Sequence, residues 1–315
     1  MMKNEGVCYL IMGIGLPVIT CPPAPHEKSS RNAGKKLGCD ISPVYLLREN
    51  SMLENDEHSR ADGRYLLTFP DGVADDERAR QIADALALSW TLLMGQVAPL
   101  EDLASIYRFP GDMVQEDRYV FIDALPAYDE SLPSEEQFPF PGLQVAAHYH
   151  IWEGQMMRVW ELVPAVIDEP MFGAARHLAA SFREFYVFPG EVPEVLGQPG
   201  EMPDSANLLT RAENALVNAF KAVEALIGDL PSDDTKFFAK LRSVGVDPFQ
   251  DVGNRISVPL HQRIRELNRA RNKKGAHAKT SATPITYYEL MDLQLCARLV
   301  VIRALEHKLG HPIFD

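Results

Sequence analysis

The chain has 315 residues, 31 Lys and Arg against 44 Asp and Glu, a formal net charge of -13 and a hydrophobic fraction of 46%. That length has room for two domains, and the composition excludes wholesale disorder because enough apolar side chains are present to offset chain entropy. An acidic surface repels phosphate backbones at long range, so nucleic-acid binding requires a local basic patch, and the charge argues against a broad electrostatic DNA clamp.

Cys8, Cys21, Cys39 and Cys296 include no CxxC pair, and free thiols in a reducing, cytoplasmic setting are the expectation. The apolar run from Val7 to Cys21, "VCYLIMGIGLPVITC", is too short to span a bilayer and carries Pro17, which fits a buried strand or hairpin. Its end, "VITC", faintly resembles a lipoprotein cleavage box, although Thr20 fits that box poorly and Glu5 weakens the positive flank. From Pro22 to about Arg60 the polar, Pro- and Gly-containing composition predicts a loop or linker.

"RYLLTFP" at Arg64–Pro70 predicts a strand and Asp71–Gly72 a turn. "ADDERARQIADALALSWTLLMGQV" then places Ile82, Leu86, Trp90 and Leu93 at helical spacing behind an acidic first turn. "RYVFIDALP" and "LQVAAHYHIWEG" read as strands from their aromatic and β-branched residues, and "MFGAARHLAASFREFYVF" reads as a helix. The proline-dense stretch "FPGEVPEVLGQPGEMPD" marks the boundary, giving an α+β region over 1–203 and a helical domain over 204–315.

Beyond Pro203 four amphipathic helices are predicted. The first carries Leu209, Ala212, Leu216, Phe220, Val223 and Ile227, with Gly228 as its stop. The second, opened by Ser232 and two aspartates, carries Phe237, Phe238 and Leu241. The third carries Leu260, Ile264 and Leu267, and the last begins at a Thr286–Glu289 capping box and ends at Gly310. Packed as an antiparallel bundle, these helices bury four stripes. A two-fold dimer through the third and fourth helices would cover Leu295, Leu299 and Ile302.

The segment "NRARNKKGAHA" concentrates Arg269, Arg271, Lys273, Lys274 and His277 in an otherwise acidic chain. A histidine near pKa 6.5 takes a proton from a 2′-hydroxyl or gives one to a leaving oxygen, and a guanidinium holds a phosphate as it gains charge. Asn272 could orient either group, and no metal or other cofactor is needed. The bland alternative is that these cations complement the helix C-terminus.

The order "NAFKAVEALIG", a short helix, then "RNKKGAHA" before a long apolar helix resembles the HEPN superfamily, whose signature is an arginine, usually a polar residue after it, and a histidine with four to six residues between it and the arginine. Arg271, Asn272 and His277 match it. The resemblance covers the last third of the chain. It implies an all-helical domain that dimerises with its motifs face to face. It also implies metal-independent endoribonuclease activity on RNA, as in toxin–antitoxin and defence effectors, or a non-catalytic module for dimerisation or nucleotide and phosphate binding. The first 203 residues would then act as sensor or regulator, with a regulatory protein as a further partner. Glu224 sits where members of the superfamily often carry an acidic residue and could pair with Arg271, although a helix glutamate is ordinarily solvated.

His148 and His150 would share one strand face at a spacing that could ligate zinc, with Glu153 near, but further ligands are not identifiable. Arg176, His177, Arg183 and Glu184 read as a polar helix surface. No Walker loop, GxGxxG, GxSxG or HExxH occurs.

Overall fold

The computed structural model describes residues 6–12, 26–47, 62–94, 105–111, 119–121, 149–184, 206–252, 257–272 and 287–314. Two compact units emerge, residues 1–93 with 98–167, and 94–97 with 168–315.

The first unit is built on a sheet of β1 (Val7–Met12), β2 (Asp40–Leu47), β3 (Asp62–Thr68), β4 (Ser105–Pro110) and β5 (Tyr119–Phe121), in the order β4-β1-β3-β2-β5. All neighbours are antiparallel except β2 and β5, which pair in parallel over Tyr45–Leu47 alone. Helix α1 (His26–Leu37) follows β1 and α2 (Asp76–Met94) follows β3, so β1 to β4 have the split βαβ connectivity. Helix α3 (Tyr149–Val166) completes the unit and packs on α1.

Alternation puts one set of side chains on a single face, while Cys8 and Leu66, buried as well, lie on the other. Tyr9 is registered with Leu67, Ile11 with Tyr65 and Ile41 with Leu67, and all five are buried on one face. Trp160 of α3 meets the Tyr65 ring edge-on at 4.6 Å, and Ser30 of α1 donates to the Ile41 carbonyl at 3.2 Å. The Tyr9 hydroxyl donates to Asp76 Oδ1 of α2 at 2.6 Å. Burial, assisted by Asp76, pushes that hydroxyl's pKa up to about 12. Val7–Met12 of the apolar run is therefore an interior strand, and residues 13–21 of that run lie outside the described residues.

Two expectations are corrected here. Residues 26–47 are not linker but a helix and a strand, because α1 packs through small side chains instead of an apolar stripe. Ser29, Ser30 and Ala33 are buried, and a Cβ at Gly34 would come within 2.8 Å of the Cys39 carbonyl oxygen. The second correction is that residues from Tyr149 onward form a helix and not a strand. Val159, Trp160, Leu162, Val163 and Val166 are buried along it, so tertiary packing overrides local β-propensity.

The second unit is helical: α4 (Met171–Glu184), α5 (Ala206–Ile227), α6 (Asp234–Ser243), α7 (Leu260–Ala270) and α8 (Tyr287–Leu309), with a small hairpin of β6 (Asp251–Val252) and β7 (Val258–Pro259). Its boundary lies at Asp168 and not at 204, because α4 packs on α5 and α8. The expected stripe on α5 is buried at Ala212, Leu216, Phe220, Val223 and Ile227. Polar contacts join the same three helices. Ser181 Oγ donates to the Ala215 carbonyl at 2.7 Å and accepts from Gln294 Nε2 at 3.0 Å, all within the core. Gly228 and Gly310 end α5 and α8 in the left-handed region, at φ of 66° and 78°. Among the described residues there are eight α-helices, and none is long and apolar enough to cross a membrane.

Candidate functional site

Helix α7 turns Leu260, Ile264 and Leu267 into the core and ends at Arg271 and Asn272, which form a π-type turn. Across from it, Phe220 and Glu224 stand one turn apart on α5, a spacing that aligns them on one side of the helix. The Arg271 guanidinium lies 4.5 Å from the centroid of the buried Phe220 ring. Its Nη1 is 3.7 Å from Glu224 Oε2, with 31% and 34% of the two side chains exposed. That separation is an ion pair but too long for a hydrogen bond. Among the described residues the Arg271 guanidinium donates no hydrogen bond.

Arg265, six residues earlier on α7, shows what a committed arginine looks like. It also lies over a phenylalanine, at 4.9 Å from the Phe237 centroid, and it also has a carboxylate partner. Its Nη2 reaches Asp234 Oδ1 at 2.5 Å and the Pro231 and Ser232 carbonyls at 3.3 Å each. Those contacts tie α7 to the start of α6, where Asp233 caps the helix through the Lys236 N–H.

Glu224 is therefore not a freely solvated helix charge but the partner of Arg271. Asn272 Nδ2 reaches Asn268 Oδ1 at 3.4 Å, a weak contact that leaves its amide oxygen for other partners. Arg269 is exposed in the last turn of α7. Lys273, Lys274, His277 and His148 lie outside the described residues. His150 belongs to the first turn of α3, which removes the premise that it shares a strand face with His148. Phe220, read from the sequence only as core, proves to be the seat of Arg271. The detectable signal was an aromatic residue one helical turn before an acid.

Of the polar surface expected on α4, His177 sits near Asn218, Arg176 and Lys221. Burial first, then those two cations, holds its pKa below the ordinary 6.5. The Arg183 carbonyl accepts from Arg211 Nη2 at 3.3 Å. Of the three residues assigned to a dimer strip, Ile302 is buried within one chain, leaving Leu295 and Leu299. These line a pocket of about 340 Å³ with Asp251, Arg263, Asp292 and Cys296.

Comparison of the chain with protein-family models, with curated proteins and with solved structures finds no match.

Proposed function

We propose that the chain is a HEPN-type, metal-independent endoribonuclease whose first unit senses a trigger or restrains the helical unit, as expected of a defence or toxin effector. The observation that carries this reading is Arg271, seated on Phe220, with unused donors at the mouth of the segment that leads to His277. In this reading His277 removes the proton from a 2′-hydroxyl, and the resulting alkoxide attacks the adjacent phosphorus. The bond to the 5′-oxygen breaks as that oxygen takes a proton, leaving a cyclic phosphate and a free hydroxyl. Arg271 stabilises the charge gathering on the phosphate oxygens, and a second copy of the chain brings a second motif opposite the first.

The rival is a non-catalytic module for dimerisation or phosphate binding. The observation in its favour is Glu224, which neutralises part of the Arg271 charge in a chain already at -13. An RNA cleavage assay in EDTA, comparing the parent with His277→Ala, separates them. The catalytic reading expects cleavage that survives chelation and falls about 10²–10⁴-fold in the variant. Cleavage lost in EDTA and restored by zinc overturns it.

A further inference from the structure

At the N-terminal end of α7, three rings meet at the surface. Phe238 lies 5.0 Å from Phe249 and 4.9 Å from His261, and Phe249 lies 5.3 Å from His261, all edge to face. Phe249 is 53% exposed, among the most exposed large apolar residues described. Its position is held from behind. The Phe249 N–H donates to Asp247 Oδ1 at 3.0 Å, and the Pro248 carbonyl accepts from both the His261 backbone N–H at 3.0 Å and the imidazole Nδ1 at 2.8 Å. A carbonyl oxygen only accepts, so Nδ1 carries the hydrogen, and Nε2 of the neutral ring is left as an acceptor. Arg242, which has no acidic partner among the described residues, places its guanidinium 5.9 Å from the Phe249 centroid.

A rigid exposed phenyl ring, a neighbouring imidazole with a fixed acceptor and an uncommitted guanidinium are the elements with which proteins stack and edge-read an unpaired base. We propose that Phe249, Phe238, His261 and Arg242 form a stacking platform for a nucleobase of single-stranded RNA. This rests on the reading of the chain as an RNA-acting protein and names how its substrate is engaged away from the scissile phosphate. His261 and Arg271 are ten residues apart on α7, about 15 Å along the axis and about a quarter turn around it. One strand can therefore touch both.

The test uses the full chain with His277→Ala, so that bound RNA is not turned over. Fluorescence anisotropy is read with a labelled single-stranded oligoribonucleotide of mixed sequence and with an abasic ribose-phosphate oligomer of equal length. Phe249→Ala is expected to weaken binding of the base-bearing oligomer about tenfold and to leave the abasic one unchanged, and Phe249→Trp is expected to restore it. Circular dichroism on the same samples checks folding. Equal binding of both oligomers by the parent, no binding of either, or an unaltered Phe249→Ala variant each overturns the proposal. So does a change in sedimentation of Phe249→Ala without a change in RNA binding, which would mark a protein-docking surface. Base-dependent binding in a chain that never cleaves sinks the catalytic reading and leaves the platform standing.

Discussion

Two arginines of the α7 region, Arg265 in mid-helix and Arg271 at the C-terminal end, look alike in sequence and differ in what they have left to give. Arg265 and Arg271 each lie over a phenylalanine and each face a carboxylate from another helix. Arg265 donates to three acceptors and closes a joint between α6 and α7, whereas Arg271 donates to none among the described residues and waits 3.7 Å from its partner. An arginine fixed by several hydrogen bonds stabilises the fold. One that is only stacked and loosely paired can change partners when a phosphate arrives.

The sharpest way to break this contrast is Arg271→Lys. Lysine keeps the charge and loses the planar fork, so RNA cleavage is expected to fall by about two orders of magnitude while the melting temperature stays within what about 0.5 kcal/mol would shift. Arg265→Ala is expected to do the opposite, lowering stability by about 1–2 kcal/mol in chemical denaturation and leaving cleavage per folded molecule unchanged. If both variants melt far below the parent and neither loses specific activity, the distinction between the two arginines is void. Glu224→Gln should act more gently. It removes a competitor for the Arg271 charge, so phosphate or RNA should bind a few-fold tighter, in line with the roughly 0.2–1 kcal/mol of partly exposed pairs. Weaker binding in that variant would mean Glu224 positions the guanidinium instead of restraining it.

The smallest effect concerns His177, whose environment is the reverse of an arginine's seat. Its folded pKa is depressed, so the unfolded chain takes up the proton first as pH falls. Its contribution to stability is complete above the ordinary value of 6.5 and is lost as pH falls through the lowered value. Chemical denaturation between about pH 7 and pH 5 should show a shallower decline in His177→Gln than in the parent. An unchanged slope would mean that His177 does not sense Arg176 and Lys221.

The sequence showed most of the second unit because its helices bury regular apolar stripes and end at glycines with positive φ. It misread α1, where burial falls on Ser29, Ser30 and Ala33 and leaves no stripe to see. It misread the start of α3 because "HYHIW" has the side chains of a strand, and only the buried face from Val159 onward shows what the segment packs against. At the candidate site, Arg271 was legible from its charge and its spacing to His277. Phe220 and Arg265 were not, since stacking and donor occupancy depend on which helices meet and not on local pattern. The second unit begins at Asp168, where the packing of α4 on α5 and α8, and not any local composition shift, sets the division.

The sheet of the first unit is bordered by β4, which among the described residues pairs with β1 alone and ends at the exposed Pro110. The Gly111 N–H donates to the Gly6 carbonyl at 2.7 Å, so the nitrogen of Pro110, one residue earlier, faces away from β1. A proline fits a strand where its nitrogen faces the open side, and there it deletes one donor from the template that another chain would copy. Replacing Pro110 with threonine would restore that donor and is expected to raise light scattering on heating near the melting point. Resistance to strand-by-strand association would then be a local property of the β4 border.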